Sequence, residues 1–122
     1  EGQELSIITY GMGVHWAKAA TKKLNVKADI LDLRTLLPLD KESIFKSVKK
    51  TNKILILHED CLTGGIGGEL SALINEHCFE DLDAPVIRCA SMDTPVPFAV
   101  ELENQFLPLS ELEEKIVQLI QY

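Results

Sequence analysis

Three stretches of the chain carry residue types able to do chemistry. They are Gly11-Met12-Gly13 with Trp16, His58-Glu59-Asp60-Cys61, and the run Thr63-Gly64-Gly65-Ile66-Gly67-Gly68. An imidazole beside two carboxylates has the donor types of a metal site or of a general acid and base. Their adjacency counts against both. Consecutive residues leaving a strand point to opposite faces, so His58, Glu59 and Asp60 do not easily converge on one ion. His15, His58 and His77 show no His-x-x-x-His spacing. Cys61 follows carboxylates, which raise a thiol pKa and weaken it as a nucleophile. No Ser or Cys sits in a nucleophile elbow. The residues alone therefore name no catalytic residue, no cofactor-binding residue and no metal ligand.

The two glycine turns keep two readings each. Gly11 and Gly13 open a helix after a strand, as a dinucleotide fingerprint does, and Asp32 stands near the position of the ribose-binding acid. The third glycine is replaced by Trp16, whose indole would block close helix–strand packing, and the plainer reading is a tight strand-to-helix turn. The run Gly64-Gly65-Ile66-Gly67-Gly68 precedes a helix and offers backbone N–H groups to an anion. It lacks a following Lys-Ser/Thr, and Glu59, Asp60 and Glu69 would repel a phosphate. Close approach to another backbone, that of a second subunit, is the favoured reading. Ile66 at the loop tip supports it, because an apolar residue there needs a cover.

The elements that must hold these residues alternate strictly. Strands are expected at Leu5–Tyr10, Ala28–Leu33, Lys53–His58 and Val86–Ser91, and helices at Met12–Leu24, Lys41–Lys50, Ile66–Phe79 and Glu111–Ile120. Asp40 reads as one N-cap, and Ser110, with Glu113 three residues on, as another. Pro38 cannot donate to a ladder, and Asp93-Thr94-Pro95-Val96-Pro97 is irregular. The strands are continuous apolar runs, as strands buried on both faces are. Repeated right-handed crossovers then give an α/β fold, a three-layer α/β/α sandwich around a mainly parallel sheet of four strands. Sites in such sheets lie outside the carboxyl ends of the strands, where all three stretches fall.

Composition narrows the functions further. The 122 residues carry 12 Lys+Arg against 19 Asp+Glu, a formal charge of −7. A body this acidic repels a phosphate backbone, so nucleic acid is not an expected partner. No apolar run approaches the ~20 residues of a membrane span, so no membrane partner is expected. Cys61, Cys78 and Cys89 are odd in number and form no Cys-x-x-Cys pair, which fits free thiols in a reducing compartment. The chain starts with Glu1 rather than Met, and it is read as one domain, residues 1–122, cut from a longer chain.

Several segments in order carry a resemblance. They are Tyr10-Gly11 with its helix, Asp32-Leu33-Arg34-Thr35-Leu36-Leu37-Pro38-Leu39-Asp40, His58-Glu59 followed by Thr63-Gly64-Gly65, Asp83-Ala84-Pro85, and Asp93-Thr94-Pro95-Val96-Pro97. Together they resemble the C-terminal domain of the transketolase family, with the nearer likeness to beta subunits of 2-oxo acid dehydrogenases of pyruvate or branched-chain type. The resemblance implies a five-stranded fold whose first, antiparallel strand lies upstream of Glu1. It implies thiamine diphosphate and Mg in the parent enzyme, held by other domains, and none held by this piece. It implies a non-catalytic assembly and dimerisation domain, so that the parent is an oxidoreductase and the piece alone is inactive. Expected partners are the pyrimidine-binding domain, the alpha subunit or region, a second copy, and the acyltransferase's subunit-binding domain. The glycine run, residues 64–68, would serve the subunit interface. Glu114 and Tyr122, on an acidic terminus near the two-fold axis, would meet basic residues of the acyltransferase. The location implied is bacterial cytoplasm or mitochondrial matrix. The reading that stays open beside it is an independent small-ligand-binding α/β module using the glycine loops.

Overall fold

A computed structural model describes residues 2–122. Four strands form one sheet: β1 (Leu5–Thr9), β2 (Ala28–Asp32), β3 (Ile54–Cys61) and β4 (Ile87–Ser91). Their order is β2-β1-β3-β4, and every pairing is parallel. The helices are α1 (Met12–Leu24), α2 (Lys41–Thr51), α3 (Ile66–Cys78), α4 (Val100–Phe106) and α5 (Leu109–Ile120), with a 3-10 turn at Phe79–Asp81.

Alternation along the strands divides the core in two. Leu5, Ile7, Leu55, Leu57 and Cys89 face Ala17, Ala20, Leu112, Ile116 and Leu119 of α1 and α5. Ile8, Ile54 and Ile56 face Ile44, Val48, Leu70, Ile74 and Cys78 of α2 and α3. This is the three-layer sandwich with a parallel sheet that the apolar strands foretold. One polar knot crosses the second face. Buried Ser6 on β1 lies 2.7 Å from both Ser47 Oγ and Thr51 Oγ1 on α2. Ser47 in turn donates to Asp29 on β2, which is also paired with Lys50 at 3.2 Å. Mutual bonding keeps these hydroxyls from costing the fold a desolvation penalty.

Helix ends follow local chemistry. Asp40 caps α2 as expected, accepting from the Ser43 N–H at 3.0 Å. Asn25 and Asn52 close α1 and α2 in the left-handed region, with φ of 55° and 60°. The second expected cap is not there. Helix α5 begins at Leu109, Pro108 holds the cap position, and Ser110 makes no capping bond. A fixed φ suits proline to a helix start, and its carbonyl accepts from the Glu111 N–H at 3.2 Å. Helix α4 was not expected at all. Its sequence, VELENQF, is short and buries only Phe106, so no apolar stripe announces it.

Both outer strands leave a backbone edge without a neighbour among the described residues, since β2 pairs only with β1 and β4 only with β3. Every residue of β2 is half-buried, in contrast with the fully buried β1.

The centre of the sheet carries the stability. Ile56 is fully buried on β3 between α2 and α3. Ile56→Ala is expected to lower unfolding free energy by about 2–5 kcal/mol, the usual cost of emptying such a site, measured by urea denaturation.

Candidate functional site

The carboxyl edge of the sheet gathers the three stretches singled out in the sequence. Strand β3 runs on to Cys61 rather than stopping at His58, and its register with β4 shifts between Leu57 and Cys61. Leu57 is paired with Cys89 and Cys61 with Ser91, so β3 bulges there. The Ser91 hydroxyl pins the bulge by donating to the Glu59 carbonyl at 2.6 Å. Strict alternation therefore fails at this point. His58 turns inward and is buried, while Glu59 and Asp60 both stand in solvent. The imidazole and the two carboxylates do not converge, and among the described residues no three His, Cys, Asp or Glu side chains are placed to hold a metal.

His58 sets the geometry of the glycine run. Its Nε2 accepts the Gly67 N–H at 3.2 Å at the start of α3. A Cβ on Gly67 would lie 2.4 Å from that nitrogen, and one on Gly65 would lie 2.2 Å from the Cys61 carbonyl oxygen. Both glycines thus serve a contact inside the chain, between the helix start and the imidazole beneath it. Gly64 has φ of 77°, the left-handed region that glycine tolerates best. Gly68 differs from these, for a Cβ there would meet nothing nearer than the Arg88 Nη1 at 3.6 Å. Ile66 is not a bare apolar tip: it is half-buried and packs on the cluster under α2 and α3.

Several of the loop's donors are engaged. Thr63 N–H and hydroxyl both donate to Asp93, at 2.8 and 2.6 Å, and Gly68 N–H donates to the Gly65 carbonyl at 3.2 Å. These bonds to Thr63 hold the Asp93 carboxyl below the usual carboxylate range. Gly67 is also engaged, and Glu59, Asp60 and Glu69 place carboxylates at the same edge. The turn after β1 is likewise packed. Gly11 has φ of 55°, and a Cβ on Gly13 would meet the Thr9 hydroxyl at 2.1 Å. Trp16 packs on the α1–α5 face of the core, and Asp32 is paired with Arg34 at 2.9 Å. Close packing accounts for Gly13, Gly65 and Gly67.

Burial lowers the His58 pKa from its ordinary 6.5, and Nδ1 has no partner among the described residues. Nearby, Tyr10 is raised by burial and then by the negative charges of Asp60 and Glu59. His58 is thus a neutral acceptor beneath a helix start. The remaining expected site residues lie elsewhere. Glu114 and Tyr122 are exposed on and after α5, which runs antiparallel to the strands. Lys53, just before β3, donates to the Ile120 carbonyl at 3.1 Å, so Tyr122 ends at the amino edge of the sheet. The glycine run and Tyr122 therefore stand at opposite edges, and one small contact does not include both.

Residues 1–111 match the family model described as "Transketolase, C-terminal domain". The chain belongs to this family. Curated relatives agree with the transketolase C-terminal domain assignment. The "2-oxoisovalerate dehydrogenase subunit beta" of Bacillus subtilis is 44% identical over 111 residues, 88% of this chain and 34% of that protein. The "Pyruvate dehydrogenase E1 component subunit beta" of Porphyra purpurea is 48% identical over 107 residues, 85% of this chain and 32% of that one. The chain thus spans about a third of the length of the curated relatives it matches. Among solved structures, "Split gene transketolase, inactive beta4 tetramer" superposes with a TM-score of 0.80 at 22% identity, covering 99% of this chain and 39% of that one. It shares the fold. In this chain the carboxyl edge of the domain holds a junction built on the Gly67–His58 and Thr63–Asp93 bonds.

Two outcomes follow for that junction. Gly67→Ala is expected to destabilise the domain by about 1–3 kcal/mol through overpacking against His58, seen as a lower urea midpoint. A depressed histidine pKa contributes stability above the unfolded value and loses it as pH falls through the folded one. The wild-type domain should therefore weaken as pH falls below 6.5. His58→Gln should flatten that slope in urea titrations across the same range.

Proposed function

We propose that this domain is a non-catalytic assembly and dimerisation unit of a thiamine-diphosphate-dependent 2-oxo acid dehydrogenase, within its beta subunit. The observation that carries this is the 44% identity, across 88% of the chain, to a 2-oxoisovalerate dehydrogenase subunit beta. The parent oxidatively decarboxylates a 2-oxo acid and passes the acyl group to lipoyl groups. Thiamine diphosphate and Mg are assigned to its other domains, as the family resemblance implies. The domain's work is then to bind the rest of the dehydrogenase, a second copy and the acyltransferase. Similar proteins include bacterial and mitochondrial subunits, and the location follows the parent. No helix among the described residues is long and apolar enough to cross a membrane.

The surface next to the glycine run supports the self-association part. Along the outer flank of α3, Gly68, Ser71, Ala72 and Asn75 line an open groove of about 890 Å³, closed on its other side by Leu82, Val86 and Arg88. Small residues on a helix let a second backbone come close, and a two-fold contact is self-complementary. Gly65 and Gly67 are committed to His58, so the interface role falls to Gly68 and its neighbours on α3. The acyltransferase contact is assigned to Glu114 and Tyr122. Glu111 and Glu113 on the same helix are paired with Lys115 and Lys23 at 2.7 and 2.8 Å. Among the described residues no such pairing holds Glu114, leaving it available to a basic partner.

The purified chain is expected to sediment as a dimer and to show no turnover of a 2-oxo acid when cofactor is added. Gly68→Leu has room within its own fold and should keep the circular dichroism spectrum while producing a monomer; a persistent dimer would place the interface elsewhere. In the parent enzyme, Glu114→Gln combined with removal of Tyr122 should slow acyltransferase association at low salt and leave decarboxylation unchanged. Unaltered binding at every ionic strength would refute that contact.

A further inference from the structure

The junction at the start of α3 is built for an uncharged ring. His58 is 0% exposed, and its Nε2 accepts the Gly67 N–H at 3.2 Å. A neutral imidazole that accepts at Nε2 carries its proton on Nδ1. A second proton must go to Nε2, where it would point at the N–H that now donates to it. Two donors would then face each other at the positive end of a helix dipole. Retreat within the closed junction is blocked. The ring lies so close to Gly65 and Gly67 that neither has room for a Cβ, and Nδ1 has no acceptor among the described residues.

The surrounding charges do not rescue the charged ring. On this face of the sheet α3 covers β3, β1 and β4 flank it, and α2 lies over β1 and β2. Burial opposes the charged ring most; Asp60 on the same strand favours it, and Arg88 on β4 opposes it. The Asp60 carboxylate stands in solvent, as do Glu59 and, in the first turn of α3, Glu69. Tyr10, just past β1, is kept neutral by burial and by the charges of Asp60 and Glu59. Asp93 reaches the loop through Thr63, and those bonds hold its carboxyl below the usual carboxylate range. It therefore titrates in more acidic solution than a histidine does.

What yields is the segment with the least holding it. The register of β3 with β4 breaks between Leu57 and Cys61, and Leu62, Thr63 and Gly64 are half-buried or exposed. The bonds that hold this stretch are few. Leu62 N–H donates to the Ser91 carbonyl at 3.1 Å, Arg88 to the Leu62 carbonyl at 3.2 Å, Ser91 to the Glu59 carbonyl and Thr63 to Asp93. By contrast Leu55, Ile56 and Leu57 are fully buried. Local opening takes segments with few buried apolar contacts and leaves the core closed. We infer that His58 is a proton-operated latch: when its imidazole gains a second proton, Glu59–Gly68 lifts off with the first turn of α3 while the sheet stays folded. Gly68 and Arg88 both line the groove along α3, so the open latch reshapes the face proposed for a second copy. That consequence rests on the self-association reading; the latch itself does not.

Hydrogen exchange of the purified chain, followed by NMR between about pH 8 and 5, tests the latch. Rates are expressed as protection factors, which removes the intrinsic pH dependence of exchange. The open ring has the ordinary 6.5 and the closed ring a lower value, so opening is favoured as pH falls below 6.5. Protection at the Gly67 and Gly68 amides should then fall by up to about tenfold per pH unit. Low concentrations of urea should leave these two amides unmoved, because a local opening exposes little surface, while Ile8 and Ile56 should follow urea steeply. Asp93→Asn should keep the pH dependence, and His58→Gln should abolish it. Wild-type protein alone can refute the latch. Protection at Gly67 and Gly68 that is flat in pH, or that follows urea as steeply as Ile56 does, would overturn it. So would a pH dependence that Asp93→Asn removes. Loss of protection in a chain that sediments as a monomer at every pH supports the latch and counts against the self-association reading alone.

Discussion

A buried imidazole under the first turn of α3 is the constraint on which the carboxyl edge depends. His58 is at the end of the apolar run of β3, fully enclosed, with Nε2 receiving the Gly67 N–H. That bond leaves no room for side chains at Gly65 and Gly67. It also fixes where the helix begins, and so where Thr63 meets Asp93 and where the segment after β4 leaves the body. A polar group in this position is costly unless paired, and pairing it with a helix N–H satisfies two needs at once. The glycine run is thereby an internal fitting first. Gly64 and Gly68, with open space beside them, are free to serve an outward contact.

The division of the core explains why so much of this was legible in the sequence. Ile54-Leu55-Ile56-Leu57 supplies both faces of the sheet in turn, and a run buried on both sides admits only a central parallel strand. The helices were readable because their apolar stripes are regular and Asp40 marks a start by its own side chain. Adjacency argues against a metal reading of His58, Glu59 and Asp60, and the preceding carboxylates argue against Cys61 as a nucleophile. The ordered motifs also indicated the family before any comparison.

What was not legible has physical causes. The bulge in β3 lets Glu59 and Asp60 share the solvent side, and bulges leave no mark in an alternation pattern. Helix α4 is too short for periodicity, and its start at Ala99 has no capping side chain. Ser110 looked like a cap because Glu113 follows at the right interval, but Pro108 already fixes the backbone that starts α5. Ile66 looked exposed because loop tips usually are, whereas it turns back onto the core. In each case a tertiary contact outweighed a local signal.

The inner and outer halves of the carboxyl edge differ in a way that bears on assembly. Inside, the main donors find acceptors: Gly67 on His58, Thr63 on Asp93, Ser91 on Glu59. Outside, the chain sets Phe98, Val96 and Leu102 in water and rests α4 on one side chain. A domain of this size has core enough to hide a few more apolar groups, and loops rarely keep such groups exposed without use. The same contrast separates the two ends of the sheet. At the amino edge Lys53 ties the end of α5 to the body, and polar and charged groups dominate around Glu4, Lys27 and Lys50. Exposed apolar side chains are most numerous at the carboxyl edge, with others along α3 and α5. A domain built this way has its stability in the sheet and its capacity for association in surfaces that the sheet's own helices leave open.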